Sequence, residues 1–356
     1  MNIGILTFSR ANNIGALLQA YALQEYLVQN NASAEHIDFR YKTKKNSSTA
    51  CAEKHPPILS KIAQFKGRYY NRIKRQKFEG FRSRYIRFNS VSYTDSIQSD
   101  TNYDAVIAGS DQIWNTDLNG DNTVFYLDFV GGAKYTYSAS VGRELTERDK
   151  QRIREFAPSF SRISAREADL QEYIEDATGL ECALTVDPVF LLKKNEWERV
   201  EEKICCPKKY VFAYVMEDTD RLRSALKTVS QKYNAKIVWV QGGGASIKGF
   251  PGRKIDVASP QEFLYLINHS IAVVTNSFHG AAFSSIFEKP LCIVSHTSRN
   301  ARLVQLVHNI AREDKVIYSS DIDNIEKHMI TSSENHIHDL VSSSKRYLLD
   351  IIEQRG

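Results

Sequence analysis

The sequence predicts an α/β protein built of two tandem doubly wound Rossmann-like domains, and three observations lead there. Apolar runs of strand length alternate with helically spaced runs from the first residues onward. The alternation restarts beyond "CCPKKY", beginning at Cys205, where a proline and two lysines precede a fresh apolar run. At 356 residues the chain exceeds what one core usually serves, so two domains of roughly 150–200 residues each are expected.

Each element follows from the residues. "NIGILTF" is a short apolar strand and "SRANNIG" a loop rich in Asn and Gly. Over 16–29 the recurrence of Leu17, Tyr21, Leu23 and Leu27 makes a helix. "AEHIDFRY" supplies the returning strand of a βαβ unit. Further strands are expected at "YDAVIAGS", "KYTYSASVG", "RISARE" and "ALTVDPVFLL", with helices over 147–156 and 168–177. Such alternation calls for a parallel sheet covered on both faces.

The first domain is therefore assigned to 1–205 and the second to 206–335. In the second, "YVFAYV" leads to a helix over 220–233, strand "KIVWV" and the glycine-rich loop "QGGGASIKGFPG". Helix "SPQEFLYLINH", strand "SIAVVTN", helix "FHGAAFSSIF" and strand "PLCIV" complete it. Ser259 stands before Pro260 with Glu262 close behind, the form of an N-cap followed by proline at the first helical position. A last helix, 339–356, carries Leu340, Tyr347, Leu348, Ile351 and Ile352 on one face and is expected to pack back on the first domain.

Composition narrows the function classes. Apolar content of 42% and charged content of 25% are ordinary for a soluble globular chain. No apolar run reaches the ~20 residues of a membrane span, and the N-terminus lacks a signal-peptide layout, so a cytoplasmic protein is expected. Five cysteines without CxxC spacing suggest neither a disulfide framework nor a zinc site. "QGGGAS" lacks the Walker ending and "SRANNIG" is not GxGxxG, which weighs against nucleotide hydrolysis and dinucleotide redox chemistry. HExxH, GxSxG and carboxylates at metal-ligand spacing are also missing, so no metal is expected.

The net charge of +5 is concentrated in one place. Between Lys61 and Arg87 ten basic residues face the lone acid Glu79, while Ile62, Phe65, Tyr69, Ile73, Phe78, Phe81, Tyr85 and Phe88 recur at helical intervals. This reads as a basic amphipathic insertion over 58–90 in the first domain. Its cationic face, 61–88, suits peripheral contact with an anionic membrane surface or a phosphorylated lipid carrier. The plainer reading is a helix packed on the body with a solvated basic face. Nucleic acid is not expected, because no nucleic-acid motif accompanies the charge.

Ligands of open α/β sheets bind beyond the carboxyl ends of strands, where helix N-termini attract anions. Four segments have that form: "SRANNIGA", "GSDQIWN", "QGGGAS" and "TNSFHGA". His279 stands where a helix begins, so its imidazole either serves as an anion ligand and general acid or merely caps the helix. Asp111 follows a strand end, where a carboxylate could take a hydroxyl proton. A cap on the next turn is the simpler alternative.

The ordered set "ILTFSRANNIGALLQAYALQEYL", "YDAVIAGSDQIWN", "YSASVG", "SAREADL", "VDPVFLL" and "TNSFHGAAFSSIFEKPLCIV" resembles the polysaccharide pyruvyl transferase family over about Met1 to Val294. The resemblance implies a fold similar to the two-domain B-type glycosyltransferases, with the site in the cleft. It also implies transfer of the enolpyruvyl group of phosphoenolpyruvate to two hydroxyls of a sugar, giving a pyruvate ketal and phosphate. Phosphoenolpyruvate is then a co-substrate and no cofactor is needed. The implied acceptor bears free 4- and 6-hydroxyls, galactose-like, on an undecaprenyl-diphosphate-linked oligosaccharide of bacterial surface-polysaccharide assembly, at the inner face of the membrane.

Residue by residue, His279 matches the family histidine associated with phosphoenolpyruvate, and Arg166 matches an arginine assigned here as an anion clamp. Ser277 stands where several members carry an arginine, so Arg299, Arg302 or Arg10 is expected to supply the absent cation. Asn12, Asn13 and Gly15 would line the first-domain side, Ser277 and Gly280 the second, and Asp111 would act as base for the acceptor hydroxyl. Two rivals share the architecture: a sugar-nucleotide glycosyltransferase with a diphosphate on "QGGGAS", and a non-catalytic glycan- or lipid-binding partner.

Overall fold

The computed structural model describes residues 1–40, 57–93, 97, 103–243, 247–295, 301–310, 315–317, 327–330 and 337–353; side chains of 57–66, 301, 302, 308, 309, 316 and 317 are not described. The first sheet takes strands β1 (Asn2–Leu6), β2 (Ser33–Phe39), β3 (Phe88–Tyr93), β4 (Ala105–Asp111), β5 (Ala133–Ala139), β6 (Ile163–Ala165) and β7 (Cys182–Leu184). They pair in parallel in the order β3-β2-β1-β4-β5-β6-β7. The second sheet takes β8 (Tyr210–Val215), β9 (Lys236–Gln241), β10 (Arg253–Ile255), β11 (Ala272–Thr275), β12 (Leu291–Val294) and β13 (Val316–Ile317). Its order is β10-β9-β8-β11-β12-β13, again parallel.

Both sheets reverse direction once, between β1 and β4 and between β8 and β11. At such a reversal, loops from neighbouring strands lead away to opposite faces and leave a crevice. Helices α1 (Ile14–Gln29), α2 (Pro57–Tyr85), α3 (Thr116–Asn119), α4 (Glu147–Phe156), α5 (Ala168–Thr178) and α6 (Lys194–Glu198) accompany the first sheet and the passage out of it. Helices α7 (Asp220–Lys232), α8 (Pro260–Asn268), α9 (Phe278–Ile286) and α10 (Ala301–Ile310) accompany the second, and α11 (His338–Ile352) closes the chain. The last helix lies against the first domain: Val186 N–H donates to Ser344 Oγ at 2.9 Å, and Tyr347 OH to Thr136 O at 2.9 Å.

Helix α1 shows why the two halves meet. Its sequence, "IGALLQAYALQEYLVQ", is apolar almost all round, and the helix is correspondingly buried on nearly every side. It shares one hydrophobic core with β1, α8, α9 and β11. Trp197 on α6, fully buried, lies edge-on to Tyr21 of α1 at 5.7 Å and to Phe283 of α9 at 4.9 Å. One indole therefore touches both domains, and its Nε1–H is satisfied by Val189 O at 3.1 Å.

Three sequence expectations are corrected. The segment 58–90 is not one amphipathic run: the helix ends at Tyr85 and β3 follows, pairing beside β2 with His36 N–H donating to Arg87 O at 2.7 Å. Nor is its basic face wholly solvated. Lys77 Nζ reaches Glu262 of α8 at 2.6 Å, and Arg82 is buried on Ala11 O and Asn12. "ALTVDPVFLL" is not one strand, because Pro188 offers no N–H to a ladder and Asp187 accepts from Val189 N–H at 3.1 Å. A 3₁₀ turn over Pro188–Leu191 results. Finally, β10 follows the glycine-rich loop, over residues for which the sequence carries no strand expectation.

His36 on β2 carries a stability consequence. It is wholly buried under α1, with Nε2–H on Ala20 O at 3.2 Å. Burial pushes its imidazole down to about 4, with Arg10 adding to the effect and the Ala20 bond opposing it. The folded state thus keeps His36 neutral where the unfolded chain protonates it. Stability from this group is complete above the ordinary histidine value and is lost as pH falls toward about 4. Urea denaturation of wild type against His36→Gln should show a wild-type loss about 1.4 kcal/mol per pH unit steeper through that window. Parallel curves would refute it.

Candidate active site

Two networks hold the strand ends that carry the site. In the first domain Gln19 of α1 donates to Thr7 Oγ1 at 2.9 Å and accepts from Ser110 N–H at 3.2 Å, while Thr7 Oγ1 donates to Ser110 O at 3.0 Å. In the second, Thr275 Oγ1 donates to Tyr214 O at 2.6 Å, and Asn276 bridges Met216 N–H and Glu217 O. All these groups are buried or nearly so, and satisfied polar networks in such places hold one geometry. The loops after β1, β4, β8 and β11 are thereby fixed at the two points of strand reversal.

Between them lies a cavity of about 170 Å³. Asn13, Asp111 and Gln112 line it from the first domain, and Tyr214, Met216 and the run Asn276 to His279 from the second. Two helix N-termini open on it. Asn13 caps α1 by accepting from Ala16 N–H at 3.1 Å, and Ser277 caps α9 by accepting from Gly280 N–H at 3.4 Å. The remaining first-turn N–H groups and the positive dipole ends favour a negative ligand there.

His279 is the second residue of α9 and only 8% exposed. Its ring crosses the domain boundary: a Cβ on Gly15 of α1 would collide with Nδ1. Its Nε2 lies 3.7 Å from Asp187 Oδ2. Asp187 is fully buried; it accepts from Arg166 at 2.5 Å and caps the turn after β7. Arg166 in turn donates to Ser140 Oγ at 2.7 Å, lies 3.3 Å from Glu167 and 3.9 Å from Asp111, and stacks 4.9 Å over Phe278. Burial works against the Arg166 charge, but Glu167, Asp187 and Asp111 outweigh it and raise the group above the ordinary arginine value. Asp111 adopts φ +72°, a conformation unfavourable for a residue with a Cβ, held at the mouth of β4.

A second cavity of about 450 Å³ adjoins the first, sharing Asn13, Asp111 and Gln112. Arg10 and Asn12 belong to its wall. Arg10 is engaged by Asp38 at 2.5 Å. Burial pushes the Asp38 carboxyl up, but hydrogen bonds from Arg10 and Arg40 hold it below the ordinary value.

The structure thus brings His279, Asp111, Asn13 and Ser277 to one cavity. Gly15 and Gly280 contribute by size: a Cβ on Gly280 would stand 2.5 Å from Thr275 Oγ1. Arg166, expected as the clamp, lines neither of these two cavities, and its guanidinium is engaged by Asp187, Glu167 and Ser140. Arg299 lies outside the described residues, and of Arg302 only the backbone, in α10, is described. Of the four strand-end loops, "QGGGAS" supplies no lining residue among the described ones. Asp187 is the residue that sequence reasoning passed over. Its signal was a lone carboxylate inside the apolar run "TVDPVF", where burial demands a partner. Among the described residues no group of three or more His, Cys, Asp or Glu could hold a metal ion.

Comparison with known proteins adds a family and a fold. The sequence model of polysaccharide pyruvyl transferase matches residues 13–298. No curated protein matches the chain in sequence. Similar solved structures include UDP-GlcNAc 2-epimerase from Neisseria meningitidis bound to UDP-GlcNAc. It has 11% identity and a TM-score of 0.53, with 99% of each chain covered. The S. aureus MnaA–UDP structure has 9% identity and a TM-score of 0.55, covering 100% of this chain and 96% of that one. At these identities the likeness concerns the fold, which is GT-B-like.

The Gly15 contact yields a paired test. Gly15→Ala should destabilise the chain by about 1–3 kcal/mol through overpacking and displace the His279 imidazole. Gly67→Ala, on α2 with nothing near its added methyl, should stabilise by about 0.5–1 kcal/mol. Chemical denaturation, with histidine ring resonances by NMR, reads both. An unmoved His279 in Gly15→Ala would contradict the contact.

Proposed function

The chain belongs to the polysaccharide pyruvyl transferase family, and from that premise we propose that it moves the enolpyruvyl group of phosphoenolpyruvate onto a sugar diol. The product is a cyclic pyruvate ketal with release of phosphate. The observation that carries this reading is the convergence of two helix N-termini, one from each domain, on a single cavity walled by His279 and Asp111. Phosphoenolpyruvate carries two anionic groups, phosphate and carboxylate, and the two N-termini offer one ready binding end to each. No lysine or arginine among the described residues lines this cavity, so helix N–H groups and dipoles supply the attraction, with Arg299 and Arg302 proposed as further cations.

The steps follow from the chemistry. The His279 imidazolium gives its proton to the methylene carbon, which becomes a methyl group, and the adjoining carbon takes on oxocarbenium character. A sugar hydroxyl adds to that carbon as Asp111 accepts its proton. The C–O bond to phosphate then breaks, and the second hydroxyl adds, passing its proton to the departing phosphate and closing the ketal. Asp187 stands behind His279 as a positioning residue. Its negative charge favours the imidazolium, while Arg166 and the Val189 N–H keep the carboxylate in place.

The acceptor is proposed to be a lipid-linked glycan met at a membrane surface. Arg68, Arg72 and Arg75 remain exposed on α2 and support contact with anionic lipid. No helix among the described residues is long and apolar enough to cross a membrane.

Incubation with phosphoenolpyruvate and lipid-linked glycans should release phosphate and give products heavier by one pyruvate ketal. His279→Ala should lower turnover by at least about 10²-fold. Asp187→Asn should lower the affinity of His279 for its proton, moving the alkaline limb of the pH profile to lower pH. Absence of phosphate release with every acceptor would overturn the reading, and an unmoved limb would remove Asp187 from it.

A further inference from the structure

The ligand proposed for the cavity beside His279 carries two anionic groups, yet no lysine or arginine among the described residues lines that cavity, and the Asp111 carboxylate on its wall repels an anion. Neutral donors must therefore add to what the helix ends supply. Of the amides on the wall, Asn13 caps α1 and Asn276 is engaged by Met216 N–H and Glu217 O. Gln112 follows Asp111 at the mouth of β4 and lines both this cavity and the larger one beside it.

An amide has one accepting and one donating end, so its use depends on which way it is turned. Asn115 settles this for Gln112. Its Oδ1 accepts from Asp117 N–H at 2.9 Å and from Arg143 Nη2 at 3.1 Å. Its Nδ2 donates to Val141 O at 2.8 Å and to Gln112 Oε1 at 2.9 Å. Turning the Asn115 amide over would set its NH₂ against two donors and its oxygen against a carbonyl. The Gln112 oxygen is thus committed to Asn115, and the Nε2 end carries the donors. Arg143 is held in turn by Asp117 and by the fully buried Asp149. The Gln112 stem is packed as closely: a Cβ on Gly142 would stand 2.6 Å from its Cδ.

We propose that Gln112 is a further substrate-binding residue of this site, donating Nε2–H to an anionic oxygen of phosphoenolpyruvate. The proposal rests on the pyruvyl-transfer reading. A hydrogen bond to a charged acceptor is roughly twice as strong as one to a neutral acceptor, so a fixed amide offsets part of an absent cation. Its neutrality suits the place. A lysine or arginine at this position would pair with the neighbouring Asp111 carboxylate and weaken it as a base. A carboxylate at this position would still accept from Asn115, but it would repel the anion. Glutamine accepts on one side and donates on the other.

Gln112→Glu is the discriminating variant, because it keeps the acceptor for Asn115 and exchanges only the donor for a negative charge. Calorimetric titration of the full chain with phosphoenolpyruvate should show affinity lower by about tenfold in Gln112→Ala and by more in Gln112→Glu. A merely structural glutamine would tolerate the second change. Inorganic phosphate and pyruvate, titrated separately, identify the oxygen met, since the probe whose binding weakens carries it. Asn115→Asp, whose carboxylate would draw Gln112 Nε2 to itself, should weaken phosphoenolpyruvate binding with Gln112 intact. In turnover, Gln112→Glu should raise KM for phosphoenolpyruvate. Undiminished affinity in Gln112→Glu or Asn115→Asp, or a rise confined to KM for the acceptor, would overturn the assignment and leave the transfer reaction standing. Gln112-dependent anion binding by a chain that releases no phosphate with any acceptor would sustain the donor and overturn the transfer reaction instead.

Discussion

The site depends on one contact, that of the His279 imidazole on α9 with the backbone of Gly15 in α1. It joins two domains, and it demands a residue without a Cβ on one side. Helix positions only become this close when both helices are held from behind, and here they are. Trp197 wedges between Tyr21 and Phe283, and α1 shares its core with elements of both sheets. A close-packed interior transmits such constraints rigidly. The N-terminal end of α9 therefore inherits its position from apolar packing on its far side.

Behind His279 the buried polar groups form a chain of mutual partners. Asp187 is fully buried, and a lone buried carboxylate would be costly. Arg166 and the Val189 N–H compensate it, and Ser140 and Glu167 compensate Arg166 in turn. The Arg166 guanidinium is thereby engaged within the protein by Asp187, Glu167 and Ser140.

Much of the fold was legible because hydrophobic periodicity is a local property. The alternation of strands and helices, the restart after Cys205 and the loops at strand ends all follow from short windows of sequence. His279, Asp111, Asn13 and Ser277 could be singled out because each follows a strand and opens a helix or turn. What escaped is what depends on distance through space. Phe8, Phe39 and Phe125 line the first-domain cavity, and nothing in their local sequence marks them for it. Asp187 sits in an apolar run whose proline breaks the strand that periodicity alone suggests. Lys77 and Arg82 read as part of a solvated stripe, yet their partners lie on α8 and the first loop.

The serine at position 277 can now be understood physically. An arginine there would bring a full charge to the start of α9. Serine instead caps the helix through the Gly280 N–H, and the first turn lines the cavity with Ser277, Phe278 and His279. Attraction for an anion is then divided between α1 and α9, which belong to different domains. Each dipole end is a fraction of a charge and acts only over about the first turn of its helix. The Gly15–His279 contact fixes the separation of those two helix ends.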